Sequence, residues 1–259
     1  MTPIPRILSN WSPEAIVFDC DGTLMDTERH WQDARTRAFR DFGLSAPPGF
    51  AERAKGVHYL DCGRLMAQET NKPDLASDLS TSLLAHFMSL VAEDPLTMPG
   101  ASEFVRLCWR RLPLAVASNC PLEVVDESLL RAGLRRYFRH IVVPTVQRDF
   151  NGPEEAPGDR TEQAVRPKPW PDVYSRAAHL CGVAPRAALA IEDSLTGVES
   201  ASRAGLRVLG VGPLPEGGSG QADAWTPGLD CEQIMSWVQE QVPVLTTDND
   251  ETRKDHGPG

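Results

Sequence analysis

The sequence lacks any apolar run of about 18 residues, the length that a membrane-spanning helix needs. It also lacks an excess of positive charge, because 26 Lys and Arg face 36 Asp and Glu and leave a formal net charge of −10. Such a balance is unfavourable for binding nucleic acid or an anionic membrane. No two of the six cysteines form a Cys-x-x-Cys pair, and the first ten residues lack the apolar stretch of a signal peptide. We therefore expect reduced thiols and a cytoplasmic location, with no nucleic-acid or membrane partner.

The overall composition is that of an ordinary globular protein. Hydrophobic residues make up 41% of the chain and charged residues 24%, which excludes a fully disordered chain. At about 150 residues per domain, 259 residues fall between one domain and two. Composition alone leaves the number of domains open.

Short apolar runs alternate with helix-like stretches along most of the chain. The apolar runs cover residues 15–18, 112–117, 141–143, 188–191 and 206–211. The helix-like stretches cover residues 101–111, 122–132, 171–181 and 196–204. Unbroken apolar runs are typical of parallel strands buried on both faces. The alternation predicts an α/β fold with a doubly wound, mainly parallel, Rossmann-like sheet.

One interval is too long for a strand-to-strand crossover. About 80 residues separate the first two runs, many more than such a connection needs. Their apolar spacing is helical over 28–42, 59–69 and 75–92. We therefore predict an all-helical cap (residues 27–96) inserted into a catalytic core formed by 12–26 and 97–243. The proline-rich segment 144–167 is predicted to be a long loop, and the polar segment 244–259 a disordered tail.

Polar residues follow three of the predicted strands where each strand ends. Asp19 and Asp21 follow the first, Ser118 and Asn119 the second, and Asp193 the fourth. Ligands bind at this carboxyl edge of open α/β sheets, so we expect Asp19, Ser118 and Asp193 to converge. The carboxylates of Asp19, Asp21 and Asp193 would repel one another unless a cation lies between them. Carboxylate oxygens are ligands that Mg²⁺ prefers. The sequence thus predicts a magnesium site.

Each cluster also has a plainer interpretation when taken alone. Asp-x-Asp-Gly is common in solvated turns at strand ends, and Ser118-Asn119 could simply cap the next helix. The alternative for Ser118-Asn119 is a phosphate site built on a helix N-terminus. Lys168 lies between prolines that stiffen its backbone, so it is either a held phosphate ligand or an ordinary exposed lysine.

Taken together, the clusters resemble the four motifs of the haloacid dehalogenase-like superfamily. Residues 18–24 (Phe-Asp-Cys-Asp-Gly-Thr-Leu) with Asp26 resemble the first motif and Ser118-Asn119 the second. Lys168-Pro169 resembles the third motif, and residues 191–194 (Ile-Glu-Asp-Ser) resemble the fourth. The order of the motifs agrees, and the predicted cap looks like that of the β-phosphoglucomutase-like branch.

The resemblance implies a role for each motif residue. Asp19 is expected to be the nucleophile that forms an aspartyl-phosphate, and Asp21 the general acid and base. Mg²⁺ is expected at Asp19, the backbone carbonyl of Asp21 and Asp193, with Glu192 in support. Ser118 and Lys168 are expected to bind the transferring phosphoryl group. The remaining residues expected to position or bind the substrate are Thr23, Asn119, Lys55, Gly56 and His58.

The superfamily includes several reactions, and the motif residues favour one of them. Dehalogenases and phosphonatases have forms of the first motif that lack the second aspartate. The presence of Asp21 therefore argues against both reactions. Residues 55–57 (Lys-Gly-Val) resemble the specificity loop of β-phosphoglucomutase, but the arginine expected soon afterwards is replaced by His58 and Tyr59. We therefore expect a phosphatase acting on a small phosphorylated metabolite, similar to sugar-phosphate and 6-phosphogluconate phosphatases. The alternatives are a phosphosugar mutase and a non-catalytic phosphometabolite-binding module. A monomer or a small homo-oligomer is expected.

Overall fold

A parallel sheet forms the centre of the protein. The computed structural model describes residues 11–94, 96–145 and 164–242. In these ranges the strands are Ala15–Phe18 (β1), Leu114–Ala117 (β2), His140–Val142 (β3), Ala188–Glu192 (β4), Arg207–Val211 (β5) and Ala224–Thr226 (β6). Their order is β3-β2-β1-β4-β5-β6, and each neighbouring pair is parallel. The predicted doubly wound parallel sheet is confirmed, with β6 as an additional edge strand.

Helices cover the sheet and form a separate group between β1 and β2. In the described part of the chain the α-helices are Glu28–Asp41 (α1), Phe50–Ala54 (α2), Tyr59–Glu69 (α3), Ala76–Glu93 (α4), Ala101–Trp109 (α5), Leu122–Arg131 (α6), Asp172–Leu180 (α7), Leu195–Arg203 (α8) and Glu232–Gln241 (α9). Helices α1 to α4 form the group that the sequence predicted as an all-helical insertion. The exact domain limits, 27–96 for the cap, remain a prediction.

Both faces of the sheet are buried, which explains why the strands are apolar without alternation. Side chains along a strand point alternately to the two faces. Ile16 and Phe18 of β1 pack into the core on one face, and Ala15 and Val17 pack into the core on the other. The ring of Phe18 packs edge-on against that of Phe104, with centroids 6.1 Å apart. This burial fixes the register of β1 and therefore the position of the residues that follow it.

The cap is held together by apolar packing between its helices. The rings of Trp31 in α1 and Phe87 in α4 are stacked, with centroids 3.6 Å apart and planes 12° apart. Helix α4 also packs closely against α3, where Gly63 faces Ser80. The segment Pro73–Glu93, which includes α4, is long and apolar enough by length and composition to cross a membrane. A single such helix is weak evidence for a span, and we assign its apolar face to packing against α1 and α3.

The two ends of the insertion leave the core side by side. The amide N–H of Asp26 donates to the carbonyl of Leu96 at 2.9 Å, and that of Met98 donates to Leu24 at 2.9 Å. Just outside these bonds, Arg29 Nη2 lies 2.7 Å from Asp94 Oδ2. The entry and exit of the cap are therefore paired like two short strands.

Two predicted segments fall largely outside the described residues. Most of the predicted loop 144–167 lies in 146–163, and the predicted tail 244–259 lies beyond residue 242. Neither prediction is tested. The described residues 164–167 lead directly into Lys168.

Gly63 tests the contact between α3 and α4. A Cβ on Gly63 would lie 1.9 Å from Ser80 Oγ and 2.7 Å from Ser80 N, so Gly63→Ala forces the helices apart. We expect a loss of about 1–3 kcal/mol of stability in chemical denaturation, although alanine is intrinsically the better helix former by about 1 kcal/mol. Ser77→Ala, at an exposed position of α4, is the control. A Gly63→Ala protein more stable than wild type would contradict the close packing.

Candidate active site

The polar residues predicted to converge do lie together at the carboxyl edge of the sheet. Asp19 directly follows β1, Ser118 directly follows β2, and Glu192 ends β4. A cavity of about 530 Å³, including open solvent at its mouth, lies between this edge and the cap. Its lining residues are Asp19, Asp21, Glu28, Trp31, Arg35, Lys55, Gly56, Val57, His58, Tyr59, Asn119, Cys120, Lys168, Asp193 and Ser194. Core and cap thus contribute to one cavity.

A buried lysine links the two sides of this edge. Lys168 Nζ lies 2.5 Å from Asp19 Oδ1 and 2.5 Å from Glu192 Oε1, and Lys168 is only 6% exposed. The hydroxyl of Tyr174 donates to the same Glu192 oxygen at 2.8 Å. The alternative of an ordinary exposed lysine is therefore wrong. A cation held between two carboxylates is oriented without needing a ligand.

The cluster is short of positive charge. Burial raises the pKa of Asp19 well above its usual range, and the carboxylates of Glu192 and Asp193 add to this, against the effect of Lys168. Burial alone would lower the pKa of Lys168, but Asp19 and Glu192 together raise it above its usual value. One lysine thus stays charged but does not neutralise its neighbours. A divalent cation would complete the balance.

Carboxylate oxygens are placed to hold such a cation. One oxygen from each of Asp19, Glu192 and Asp193 lies within 4.8 Å of the others, and hard oxygen donors suit Mg²⁺. Gly22 lets the chain pass close to this group, because a Cβ there would lie 2.5 Å from Asp193 Oδ2. Gly22 also has φ +82°, a conformation that favours glycine. The residues present therefore fit a magnesium ion.

Glu192 differs from the other two carboxylates because both its oxygens already accept hydrogen bonds. Oε1 accepts from Lys168 and Tyr174, and Oε2 accepts from the N–H and the hydroxyl of Ser194 at 3.1 and 3.0 Å. Gly197 leaves room for it, since a Cβ there would lie 1.7 Å from Glu192 Oε1. These contacts favour Glu192 as a support for Lys168 and for the start of α8.

Asp21 is held by two donors that the sequence analysis did not identify. The Thr27 hydroxyl donates to Oδ1 at 2.5 Å, and the Cys120 thiol donates to Oδ2 at 2.8 Å. Burial is the main cause that raises the pKa of the Cys120 thiol well above its usual range, and the Asp21 carboxylate adds to it. The thiol therefore stays protonated. The Asp21 carboxylate is thereby fixed at the wall of the cavity.

The side chains of Ser118 and Asn119, which follow β2, form hydrogen bonds to backbone atoms. The Asn119 amide accepts from Lys168 N at 2.8 Å and donates to Lys168 O at 3.3 Å, so it positions the lysine. Ser118 is fully buried, and its Oγ accepts from Cys120 N at 3.0 Å. Thr23 is also buried, and its hydroxyl has no hydrogen-bond partner among the described residues. Direct substrate contact by Ser118, Thr23 or Asn119 stays a prediction.

The predicted cap residues Lys55, Gly56 and His58 line the cavity on its cap side. Lys55 Nζ lies 3.3 Å from Asp193 Oδ2, which joins the cap to the core. Gly56 packs against Ser194, and a Cβ there would lie 3.2 Å from its Oγ. His58 lines the cavity and caps α3, accepting from Leu60 N at 3.4 Å. All three predicted cap residues therefore belong to the site region.

Sequence reasoning missed five lining or supporting residues. They are Thr27, Glu28, Arg35, Cys120 and Tyr174. Arg35 and Tyr174 in particular meet the site through tertiary packing, for which a single sequence gives no spacing signal. Thr27 and Cys120 were each adjacent to a motif, which is the one signal that could have drawn attention to them.

Comparisons with known proteins agree with this geometry. A profile of the haloacid dehalogenase-like hydrolase family matches residues 13–205. A phosphorylated carbohydrates phosphatase from Thermotoga maritima is 29% identical over 233 residues, covering 88% of this chain and 99% of that protein.

Solved structures are also similar. CbbY from Rhodobacter sphaeroides, in complex with phosphate, superposes with a TM-score of 0.67 at 26% identity, covering 84% of this chain and 95% of that one. The β-phosphoglucomutase from Clostridium difficile superposes with a TM-score of 0.71 at 18% identity, covering 89% and 97%. The second likeness, at its low identity, concerns the fold alone.

The Asp193 carboxylate makes the stability of the metal-free protein depend on pH. Burial and Glu192 raise its pKa to about 7, against the effect of Lys55 and Lys168, whereas an unfolded Asp titrates at about 3.9. Between these values the folded chain holds a proton that the unfolded chain has released. The free energy of unfolding should therefore fall as pH rises from 4 to 7. Urea denaturation in a chelator should show this fall, and Asp193→Asn should reduce it.

The control for this pH series is Asp78→Asn, on the exposed side of α4. It should leave the pH dependence as in wild type. An identical slope in wild type and Asp193→Asn would contradict the assignment.

Proposed function

The chain belongs to the haloacid dehalogenase-like hydrolase family, and we propose that it is a magnesium-dependent phosphatase of small phosphorylated metabolites. The observation that carries the proposal is the cluster of Asp19, Lys168 and Asp193 with Asp21 fixed beside it. It supplies a nucleophile, a charge-balancing cation, a metal ligand and an acid–base group in one cavity. Residues 12–26 and 97–243 form the proposed catalytic core, and residues 27–96 form the proposed cap.

In the proposed reaction Asp19 attacks the phosphorus of the substrate. A bond forms between a carboxylate oxygen and phosphorus, and the bond from phosphorus to the ester oxygen breaks. Asp21 donates its proton to that leaving oxygen, giving a free alcohol and an aspartyl-phosphate. Water then attacks the phosphorus, Asp21 takes its proton, and inorganic phosphate leaves with Asp19 restored. Lys168 stabilises the charge on the transferring group and on Asp19.

Asp19, Asp193 and the backbone carbonyl of Asp21 are the proposed magnesium ligands. When bound, the ion offsets the repulsion between an anionic nucleophile and an anionic phosphate. Glu192 supports the site through Lys168 and Ser194. Phosphoryl binding by Ser118 and loop positioning by Thr23 complete the proposed assignments.

A sugar phosphate is the proposed substrate. The Thermotoga relative is a phosphorylated carbohydrates phosphatase, and its similarity extends over most of both chains. A mutase must grip two phosphates at once, whereas the cap loop after Gly56 continues with Val57, His58 and Tyr59 and offers no arginine. A phosphatase therefore explains these residues better than a phosphosugar mutase or a non-catalytic binding module. All six cysteines are free thiols, which supports the proposed cytoplasmic location.

Asp19→Asn tests the nucleophile. An amide oxygen attacks phosphorus far more weakly than a carboxylate, so phosphate release from a sugar phosphate should fall at least about 10³-fold. Malachite-green detection of phosphate measures the loss, and circular dichroism checks the fold. Asp33→Asn, on the exposed face of α1, is the control. Full activity of Asp19→Asn in a preparation free of other phosphatases would show that the nucleophile has been misassigned.

Magnesium removal tests the proposed cofactor. Chelation should abolish turnover, and added Mg²⁺ should restore it and raise the melting temperature by binding only the folded state. Because protons compete for Asp193, whose pKa burial raises to about 7, the thermal shift should be larger at pH 8 than at pH 6. Asp193→Asn should show a much smaller shift. Equal activity with and without chelator would contradict magnesium dependence.

A further inference from the structure

An ion pair in the cap lies in the wall of the cavity and has no part in the proposed chemistry. Arg35 of α1 is 5% exposed, and its Nη1 lies 3.3 Å from Glu28 Oε1. Its Nη2 donates to the carbonyl of Ala54 at 3.2 Å. Both Glu28 and Arg35 line the cavity. A buried pair of this kind is costly to desolvate and is weak as a device for stability alone.

The pair is also incompletely satisfied. Arg35 Nε is buried and has no hydrogen-bond partner among the described residues. The Cys62 thiol lies beside the guanidinium, but sulfur is a weak acceptor. An unpaired buried donor costs free energy, so the residues around Arg35 do not fully satisfy its guanidinium.

The pair lines the same cavity as Asp21, the residue beside which the leaving oxygen must lie in the proposed reaction. Asp21, which protonates the leaving oxygen in the proposed reaction, accepts from the Thr27 hydroxyl at 2.5 Å. Glu28 is the next residue after Thr27 and begins α1. A leaving group bonded to the oxygen at Asp21 therefore shares its cavity with Glu28 and Arg35.

The charges around the cavity decide what kind of leaving group fits. At the core end, Lys168 and a magnesium ion would offset the phosphate, and Lys55 already pairs with Asp193. At the cap end, the charge of Arg35 is already offset by Glu28. A second anionic group on the substrate would meet Arg35, whose charge is already offset, and the carboxylate of Glu28, which would repel it. Neutral hydroxyls would be matched, because Glu28 can accept from them and Arg35 can donate to them.

We propose that Glu28 and Arg35 form a specificity subsite that selects a neutral polyhydroxyl leaving group, as in an alditol or aldose phosphate, and rejects one with a carboxylate or a second phosphate. This inference rests on the proposed phosphatase function and deepens it. The motifs also resemble those of 6-phosphogluconate phosphatases, and the proposed subsite disfavours such a sugar-acid phosphate as the substrate. The Glu28 carboxylate repels an anionic leaving group, and the Arg35 guanidinium donates hydrogen bonds to hydroxyl groups.

A matched pair of substrates tests the subsite. Sorbitol 6-phosphate and 6-phosphogluconate differ only at carbon 1, which is a primary alcohol in one and a carboxylate in the other. We expect wild-type enzyme to favour sorbitol 6-phosphate by at least about tenfold in kcat/KM, since like-charge contact is strongly disfavoured. Glu28→Gln should lower this ratio about tenfold. The ratio cancels any general loss of phosphoryl transfer in the variant.

A second variant separates the roles of the two residues. Arg35→Lys keeps the charge but loses the planar set of donors, so KM for sorbitol 6-phosphate should rise about tenfold, with a smaller change in kcat. Glu199→Gln, from an exposed ion pair on α8, is the control and should leave all values as in wild type. Melting temperatures exclude unfolding as the cause.

The outcomes distinguish the two proposals. If wild-type enzyme hydrolyses para-nitrophenyl phosphate but the substrate ratio is the same in wild type and Glu28→Gln, the subsite is wrong and the phosphatase stands. A wild-type preference for 6-phosphogluconate overturns the subsite in the same way. If no phosphate ester is hydrolysed with Mg²⁺ present, the proposed function fails, and the subsite fails with it.

Discussion

The site depends on one buried ammonium group held between two carboxylates. Lys168 contacts both Asp19 and Glu192, which lie at the ends of neighbouring parallel strands. Without it, the strand ends would carry buried negative charge that nothing in the chain offsets, a situation that costs about 3–5 kcal/mol. The Asn119 amide holds the backbone of Lys168, so the second strand also contributes. The parallel sheet brings the acids together, and the lysine makes their closeness tolerable.

The remaining imbalance connects electrostatics to chemistry. Burial, together with the excess of carboxylates over the single lysine, raises the pKa of Asp19 and of Asp193. A magnesium ion would offset that excess and at the same time return Asp19 to the ionised form that a nucleophile needs. The cap takes part through Lys55, which reaches Asp193 from the other side of the cavity. Core and cap thus share one charge balance.

The sequence was sufficient for features that depend on local pattern and on topology. Buried parallel strands must be apolar on both faces, so the runs around Val17 and Ala190 were recognisable, and Asp19 and Asp193 had to meet at one edge. The strand Ala224–Thr226 was missed because Ala-Trp-Thr is not an unbroken apolar run, whereas the equally short edge strand His140–Val142 leads into one. Tyr174 and Arg35 were missed because each reaches the site through tertiary packing. Their neighbours in sequence carry no sign of the cavity that they line.

The pairing of the two cap linkers has a consequence for chain entropy. Because Asp26 and Leu96 are hydrogen-bonded, the core meets the whole insertion as if it were a tight hairpin turn between Leu24 and Met98. The closure cost of an inserted loop grows only with the logarithm of its length, about 0.6 kcal/mol for each doubling. A cap of different size could therefore replace this one at the same two anchor points with little cost to the core. The architecture separates the part that performs the chemistry from the part that is free to vary in length.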